Sequence, residues 1–399
     1  MKLSGIESNL WKYLLVNLTT RRNFIPILSV YFLTLPNTHA SQIGLYSGIW
    51  YIASMIMQMP AGMIADRYGQ KNALIISKVF LILSSASFIF ANGFWSFVVG
   101  AVCMALGSDA FNSGISNVFL KKSLEILGRG DDYRKVASKI SGNVALISIF
   151  FIIGLPLLTG IDIRLPLVIG LIFDIIGLIV VLSLYEVHEK PRKEEHEGII
   201  SLMRQAHMSG FLSYALFAGV IAGFLFADNA FRSPYLVSLG YPLSYIGLVM
   251  GGSRLVWWLV GRYITLIERY ISFSKLLISE IILFPLYYIG ASSITNPWML
   301  GILFSVVIGW FWGRNEIYTD VLMNRIQNER HRSTLLSVKS QISGFVQVTI
   351  AFAITGIMGY SYVLGFQILG VIMFFVLGAI YWFGIREDID KTLPKTVEY

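Results

Sequence analysis

Apolar stretches of about 20 residues recur from one end of the chain to the other, separated by short segments that hold most of its charge. Few folds tolerate that pattern. A helix of about 20 residues crosses a hydrocarbon core of roughly 30 Å. Within lipid, only a helix or a closed barrel satisfies every backbone amide. The period-2 alternation of barrel strands is absent. Composition agrees: of 399 residues 55% are hydrophobic and 14% charged, with a mean hydropathy of +0.68, against about 25% charged in a soluble domain. The expected fold is all-α integral membrane, with spans predicted at 21–37, 42–65, 72–92, 94–120, 135–159, 164–185, 208–229, 241–264, 273–292, 297–322, 334–358 and 361–385.

A net charge of +8 and a pI near 9.4 invite a nucleic-acid reading. The distribution argues against it. With the N-terminus inside, only Arg164 and Arg232 of the 31 Lys and Arg fall in predicted outer loops. The others lie on the inner side or within spans, Arg254 and Arg314 deepest. This is the positive-inside asymmetry, so the basic balance reports topology in a multi-pass plasma (inner) membrane protein with both termini cytoplasmic. The N-terminus lacks an apolar core followed by a small-residue cleavage site, so the first span is expected to act as an uncleaved insertion signal. Cys103 has no partner for an internal disulfide and reads as a small buried hydrophobe.

Near the middle, "YEVHEKPRKEEHEGIISLMRQAHMS" (185–209) is the one long charged connector. It suggests an N-terminal bundle over 1–185, a cytoplasmic linker over 186–207 and a C-terminal bundle with a short tail over 208–399. Internal echoes support the division. "SQIGLYSG" (41–48) returns as "SYIGLVMG" (244–251), "DRY" (66–68) as "ERY" (268–270), and "VASKISGNV" (136–144) as "VKSQISGFV" (338–346), at offsets of 203, 202 and 202. Each echo maps one span onto the span six later. Parallel six-span repeats are one plan of secondary transporters.

The turn between spans 2 and 3, "GMIADRYGQKNAL" (62–74), carries Gly62, Asp66, Arg67, Gly69 and Lys71. It resembles the signature loop of the major facilitator superfamily, a Gly-x-x-x-Asp-Arg-x-Gly-x-Lys pattern. The resemblance covers nearly the whole chain. It implies twelve helices in two pseudo-symmetric six-helix bundles, with helices 1, 4, 7 and 10 lining a central cavity. "SLEILGRGDDYRKV" (123–136) and "NERHRSTLLSVKSQISG" (328–344) look like the corresponding loops of a bacterial drug-efflux-like subgroup. Where that subgroup usually has acidic residues near a Tyr-Asp pair, this chain has Ser116, Asn117, Lys121 and Lys122, and Cys103 stands near the place of its helix-4 arginine. The resemblance also assigns the motif a gating role: Asp66 would meet the start of helix 11 near Arg332 and Ser333 and latch the halves on the cytoplasmic side. Physically, Gly62 permits close helix approach, Gly69 permits a positive φ, and Asp66 suits a helix N-terminus.

Ionisable residues at membrane depth are costly and become functional candidates. They are Asp109, Asp174, Asp228, Arg254, Glu280, Arg314 and Glu316. Asp109, Asn112, Ser113 and Ser116 fall at i, i+3, i+4 and i+7, one face of span 4. On span 10, Trp310 pairs by spacing with Arg314, and Trp312 with Glu316. They suit either an amphipathic or cationic ligand or an internal ion pair. Asp228 and Arg232 suggest either a local surface pair or a substrate role for Asp228. Arg254 needs a carboxylate, with Asp228 and Glu316 as candidates. Asp174 and Glu280 are expected to contact neighbouring helices. No nucleotide-binding loop, zinc-protease motif or nucleophile elbow occurs. The expected function is therefore a secondary active transporter rather than an enzyme: proton-linked export of a small amphipathic or drug-like compound, or proton-coupled uptake of a sugar, peptide or other metabolite. A non-transporting receptor or scaffold of the same fold is the remaining class. No cofactor, metal or nucleic acid is expected; the partners are substrate, protons and lipid, and the chain is read as a monomer.

Overall fold

The computed structural model describes residues 3–112, 114–186, 210–325 and 332–386, and these are helical apart from turns. Helix 1 is Leu3–Thr20 followed by Ile25–Phe32. Helices 2 to 6 are Ala40–Tyr68, Gln70–Ile89, Phe94–Ile126, Gly130–Gly160 and Leu165–Leu182. Helix 7 is the pair Phe211–Ala227 and Asn229–Ser238, bent by 41°. Helices 8 to 12 are Leu243–Arg262, Phe273–Ser293, Pro297–Asn324, Val338–Tyr360 and Tyr362–Ile385. Among the described residues ten of these runs are long and apolar enough to cross a membrane, eleven with the bent pair; helix 1 brings the order to about twelve.

Local chemistry sets the ends. Gly69 adopts φ +94 and separates helices 2 and 3. Asn296 accepts from the amides of Trp298 and Met299, with Pro297 as first helical residue. Ser361 accepts from the amide of Leu364 at the start of helix 12. Large apolar side chains point away from the protein, among them Phe150, Ile179, Ile302 and Phe375. A hydrocarbon solvent accommodates that surface; water does not.

The chain forms two compact units: residues 1–193 with 242–250, and residues 194–241 with 251–399. In the first unit, helix 6 offers Gly170, Asp174 and Gly177 to helix 1. A Cβ on Gly170 would lie 2.6 Å from the ring of Phe24, and one on Gly177 would lie 2.6 Å from Thr19 Oγ1. The segment 242–250, which the repeat assigns to the second half, belongs here because Gly247 rests on the helix 5 backbone; a Cβ there would lie 2.3 Å from the carbonyl oxygen of Ile152. In the second unit the small residues sit elsewhere. Gly219 and Gly223 of helix 7 receive Ile342 and Val346 of helix 11, and Gly309 and Gly313 of helix 10 receive Val256 and Val260 of helix 8. Glycine contacts of this kind let helix backbones close together where lipid supplies no hydrophobic drive.

Two predicted spans need correction. The first does not begin at 21. It begins at Leu3, and residues 21–24 are a break inside it. The Arg21–Arg22 pair looked like a membrane boundary, but the Arg22 side chain is buried against Asp174. The seventh runs on to Ser238 rather than ending at 229, so Arg232 lies within a helix and not in an outer loop. The connector assigned to 186–207 falls, beyond Glu186, outside the described residues.

Candidate functional site

Among the described residues spans 1, 4, 7 and 10 are interrupted, and each of these interruptions lies at or beside a charged side chain. Helix 1 breaks at 21–24, helix 4 passes through a π-turn at Ala105–Ala110 and then a turn ending at Gly114 with φ +81, helix 7 bends at Asp228, and helix 10 is interrupted at Arg314. A break frees backbone groups and holds side chains at membrane depth, which is where transporters build binding sites.

In the first unit, Arg22 Nη1 donates to Asp174 Oδ2 at 2.8 Å and to Ser85 Oγ at 3.2 Å, while Ser85 Oγ donates to the same carboxylate oxygen at 2.6 Å. Beside them lies Lys78, wholly buried. Its ammonium donates to Thr20 Oγ1 at 2.7 Å, Thr19 Oγ1 at 3.0 Å and the carbonyl of Val16 at 3.3 Å. These acceptors form the C-terminal end of Leu3–Thr20, where the helix dipole favours a cation. The carboxylate of half-buried Asp109 has no such cation on its oxygens. Trp50 Nε1 donates to its Oδ2 at 2.9 Å and Ser108 Oγ to its Oδ1 at 2.8 Å. Arg22 lies within electrostatic reach of it. The π-turn overturns the continuous polar stripe expected on helix 4, because the spacing from Asp109 to Ser116 no longer follows one α-helical face. Asn112 keeps its Oδ1 buried and unpartnered, Ser116 is buried, and Ser113 lies outside the described residues.

In the second unit two buried acids each meet an arginine. Asp228 and Arg232 are both buried, so the surface pair expected from the sequence is instead an interior one. Arg232 Nε donates to Asp228 Oδ2 at 3.1 Å, Arg232 Nη2 meets Asp228 Oδ1 and the carbonyl of Leu225, and Tyr287 donates to Asp228 at 3.1 Å. Asp228 is therefore committed to Arg232 rather than to Arg254, which lies over the ring of Trp257 at 5.2 Å. Arg314 turns to helix 9. Its Nε sits 2.7 Å from Glu280 Oε1, not aligned as a hydrogen bond, and Tyr318 donates to Glu280 at 2.6 Å. The rings of Tyr318, Phe311 and Phe284 surround the guanidinium. Helix 10 thus supplies an internal ion pair at Arg314. Trp312 packs on Trp257 and Phe226, Trp310 keeps its Nε1 buried without an aligned acceptor, and Glu316 is exposed.

Sequence reasoning passed over Arg22 and Lys78. Lys78 had a signal: a lone lysine inside the apolar run 72–92, at the repeat offset of 202 from Glu280. In the signature loop, Asp66 and Arg67 are exposed, with Arg67 over the ring of Tyr68 at 5.4 Å. Lys71 is half-buried in the first turn of helix 3. Gly69 has the positive φ expected of it, and the Glu186 carboxylate presses on it. A Cβ on Gly62 would meet nothing within 4 Å among the described residues. The side chains around the start of helix 11 lie outside the described residues, and so does the latch expected at Arg332 and Ser333. No cluster of three metal-ligating side chains occurs among the described residues.

Known proteins share this architecture. The nucleoside transporter NupG, as a single-residue variant, superposes with a TM-score of 0.77 at 15% identity, over 94% of this chain and all of that one. A variant of the peptide transporter POT gives 0.69 at 11% identity over 93% and 94%. A bacterial homologue of the human lysosomal transporter Spinster, inward-facing and unoccupied, gives 0.66 at 15% over 98% and 99%. These likenesses show the fold. By sequence, the chain is 26% identical over 225 residues to the uncharacterized MFS-type transporter YxaM of Bacillus subtilis (strain 168), covering 53% of this chain and 54% of YxaM. It is 30% identical over 95 residues to an uncharacterized transporter of Buchnera aphidicola subsp. Baizongia pistaciae (strain Bp), covering 21% and 24%. The matches therefore span about half and about a quarter of these relatives' lengths. The family profile matches residues 13–338, and the chain belongs to the Major Facilitator Superfamily.

Proposed function

We propose that the chain is a secondary active transporter that binds a small molecule at its interrupted helices and moves it by alternating access of its two halves. The observation that carries this reading is the coincidence of breaks with charged residues: Arg22, Asp109, Asp228 and Arg314 stand at or next to the four interruptions. A buried charge is costly, and an interrupted helix is costly too. Both are retained where they serve a ligand.

Asp109 is the proposed proton acceptor. Neutral donors hold its oxygens, so it can gain a proton without breaking an ion pair. The acidic group beside Trp50 supports proton-linked export of an amphipathic or drug-like compound as the first reading. Uptake of a metabolite is the second, favoured by the cations Arg22 and Lys78 at the break of helix 1 and by the nucleoside and peptide transporters that share the fold. Asp66 gates the cytoplasmic side in either direction. Both termini lie in the cytoplasm and the protein resides in the plasma (inner) membrane.

The test is a vesicle assay with an imposed pH gradient and a charge-sorted compound panel, run in both gradient directions. Wild type should accumulate a compound against its gradient, and Asp109→Asn should abolish accumulation while leaving downhill exchange. Full pH-driven transport by that variant would move the proton site elsewhere.

A further inference from the structure

We infer that the substrate presents a compact anionic group, a carboxylate or a similar oxyanion, to Arg22 and Asn23 in the break of helix 1. The inference rests on the reading of the chain as a transporter whose ligand sits at the helix breaks.

The guanidinium of Arg22 has two usable edges. Asp174 and Ser85 occupy Nη1. The other edge, Nε with Nη2, is buried and has no aligned acceptor among the described residues. That is the edge on which two N–H bonds run parallel and match the two oxygens of a carboxylate or phosphate. The next residue repeats the pattern, for the Nδ2 of Asn23 is buried and unpartnered as well. Three donor atoms on consecutive residues lack acceptors, and all three belong to the unwound segment of helix 1. Buried polar atoms without partners are rare in folded proteins, and each calls for an explanation such as a water or a ligand.

Charge decides between a neutral and an anionic acceptor. Arg22 pairs with Asp174, while the ammonium of Lys78 is held by neutral acceptors, the Thr19 and Thr20 hydroxyls and the Val16 carbonyl. Lys78 abuts helix 6 at Gly177, one turn from Asp174, where a Cβ would lie 2.8 Å from its nitrogen. The next acid, Asp109, is within electrostatic reach of Arg22, but Trp50 and Ser108 hold its oxygens. The break therefore sets the Lys78 cation beside the paired Arg22, whose two-pronged donor edge has no aligned acceptor among the described residues. It is also rigidly held, since Gly170 seats Phe24 and Asp174 anchors Arg22 on one face of helix 6. A fixed donor array is the arrangement that recognises an oxyanion with little ordering cost.

The test uses the purified full chain in detergent and three probes that share a phenyl group: phenylacetate, phenethylamine and benzyl alcohol. Phenylacetate should raise the melting temperature and the other two should not. Asn23→Ala should cut the phenylacetate shift by half or more. Arg22→Lys, which keeps the charge and a partner for Asp174 but loses the parallel edge, should cut it further. Should Arg22→Lys fail to fold, Asn23→Ala still decides, because it leaves the ion pair untouched. Equal stabilisation by the amine or the alcohol would overturn the inference. So would a phenylacetate shift unchanged in the variants, or no shift at all, which would leave the donors to water only. Binding is read without a gradient, so a chain that binds phenylacetate but ignores an imposed pH gradient sinks the proposed coupling alone. A chain that transports amines and ignores phenylacetate sinks this inference alone.

Discussion

Lys78 on helix 3 and Glu280 on helix 9 stand 202 residues apart, the offset of the internal repeat, and both are wholly buried. The repeat reserves one interior position for an ionisable group, and the two units fill it with opposite charges. Asn112 and Arg314 are also 202 apart, and both sit at helix interruptions. In the second unit, Glu280 and Arg314 neutralise each other, and Asp228 and Arg232 do the same. In the first unit, Arg22 pairs with Asp174, while Lys78 and Asp109 are held by neutral groups. The comparison separates two layers of design. The breaks belong to the fold, because both units have them. The pairing of the acids does not, because Asp228 and Glu280 meet arginines while Asp109 meets neutral donors.

The largest effect should come from opening a closed pair. Arg314→Met leaves Glu280 buried without its base, a change that costs about 3–5 kcal/mol when a buried pair loses one partner. Thermal unfolding of the purified protein should show a clear loss of melting temperature. Adding Glu280→Leu should recover most of it, since a buried pair replaced whole by apolar side chains is often neutral. Failure of the double variant to recover would mean that the pair does more than balance charge.

The matching change in the first unit should cost less. Lys78→Met removes three hydrogen bonds from the end of Leu3–Thr20 but leaves Asp174 paired with Arg22. The acceptors left behind are two hydroxyls that can turn and one carbonyl, so a loss of about 1–3 kcal/mol is expected. Equal losses for Lys78→Met and Arg314→Met would break the distinction between a cation held by neutral groups and one paired with an acid.

How much of this was legible in the sequence follows the range of the interactions involved. Helices and their number follow from apolar length, which is local, and the two-fold plan follows from the echoes at 202 and 203. The start of helix 1 did not, because the partner that lets Arg22 enter the membrane lies 152 residues away on helix 6. The interior position of Arg232 was hidden in the same way. Its carboxylate is close in sequence, but the ring of Tyr287 that helps bury the pair comes from helix 9. The polar face of helix 4 failed for another reason: spacing arguments presume an α-helix, and a π-turn between Ala105 and Ala110 shifts every later side chain. Glu280 and Asp174 were anticipated to contact neighbouring helices, but the particular bases, Arg314 and Arg22, are tertiary facts.

The smallest effect on stability should come from the signature loop, which separates a fold requirement from a functional one within four residues. Gly69 is held at φ +94 with the Glu186 carboxylate against it. Gly69→Ala should therefore destabilise the turn, by more than the roughly 0.4–1 kcal/mol that a compatible Gly→Ala change would gain. Asp66 is exposed at the end of helix 2, so Asp66→Asn should stay within about 0.5 kcal/mol of wild type in unfolding measurements. The two substitutions should then part company in transport. Under the proposed gating role, Asp66→Asn folds normally and yet slows turnover, because a neutral amide closes the cytoplasmic side less firmly than a carboxylate facing a helix end. Melting temperature and initial transport rate, measured on the same preparation, decide the matter. A normal rate in Asp66→Asn would remove the residue from the mechanism and leave the loop as a turn that fixes topology.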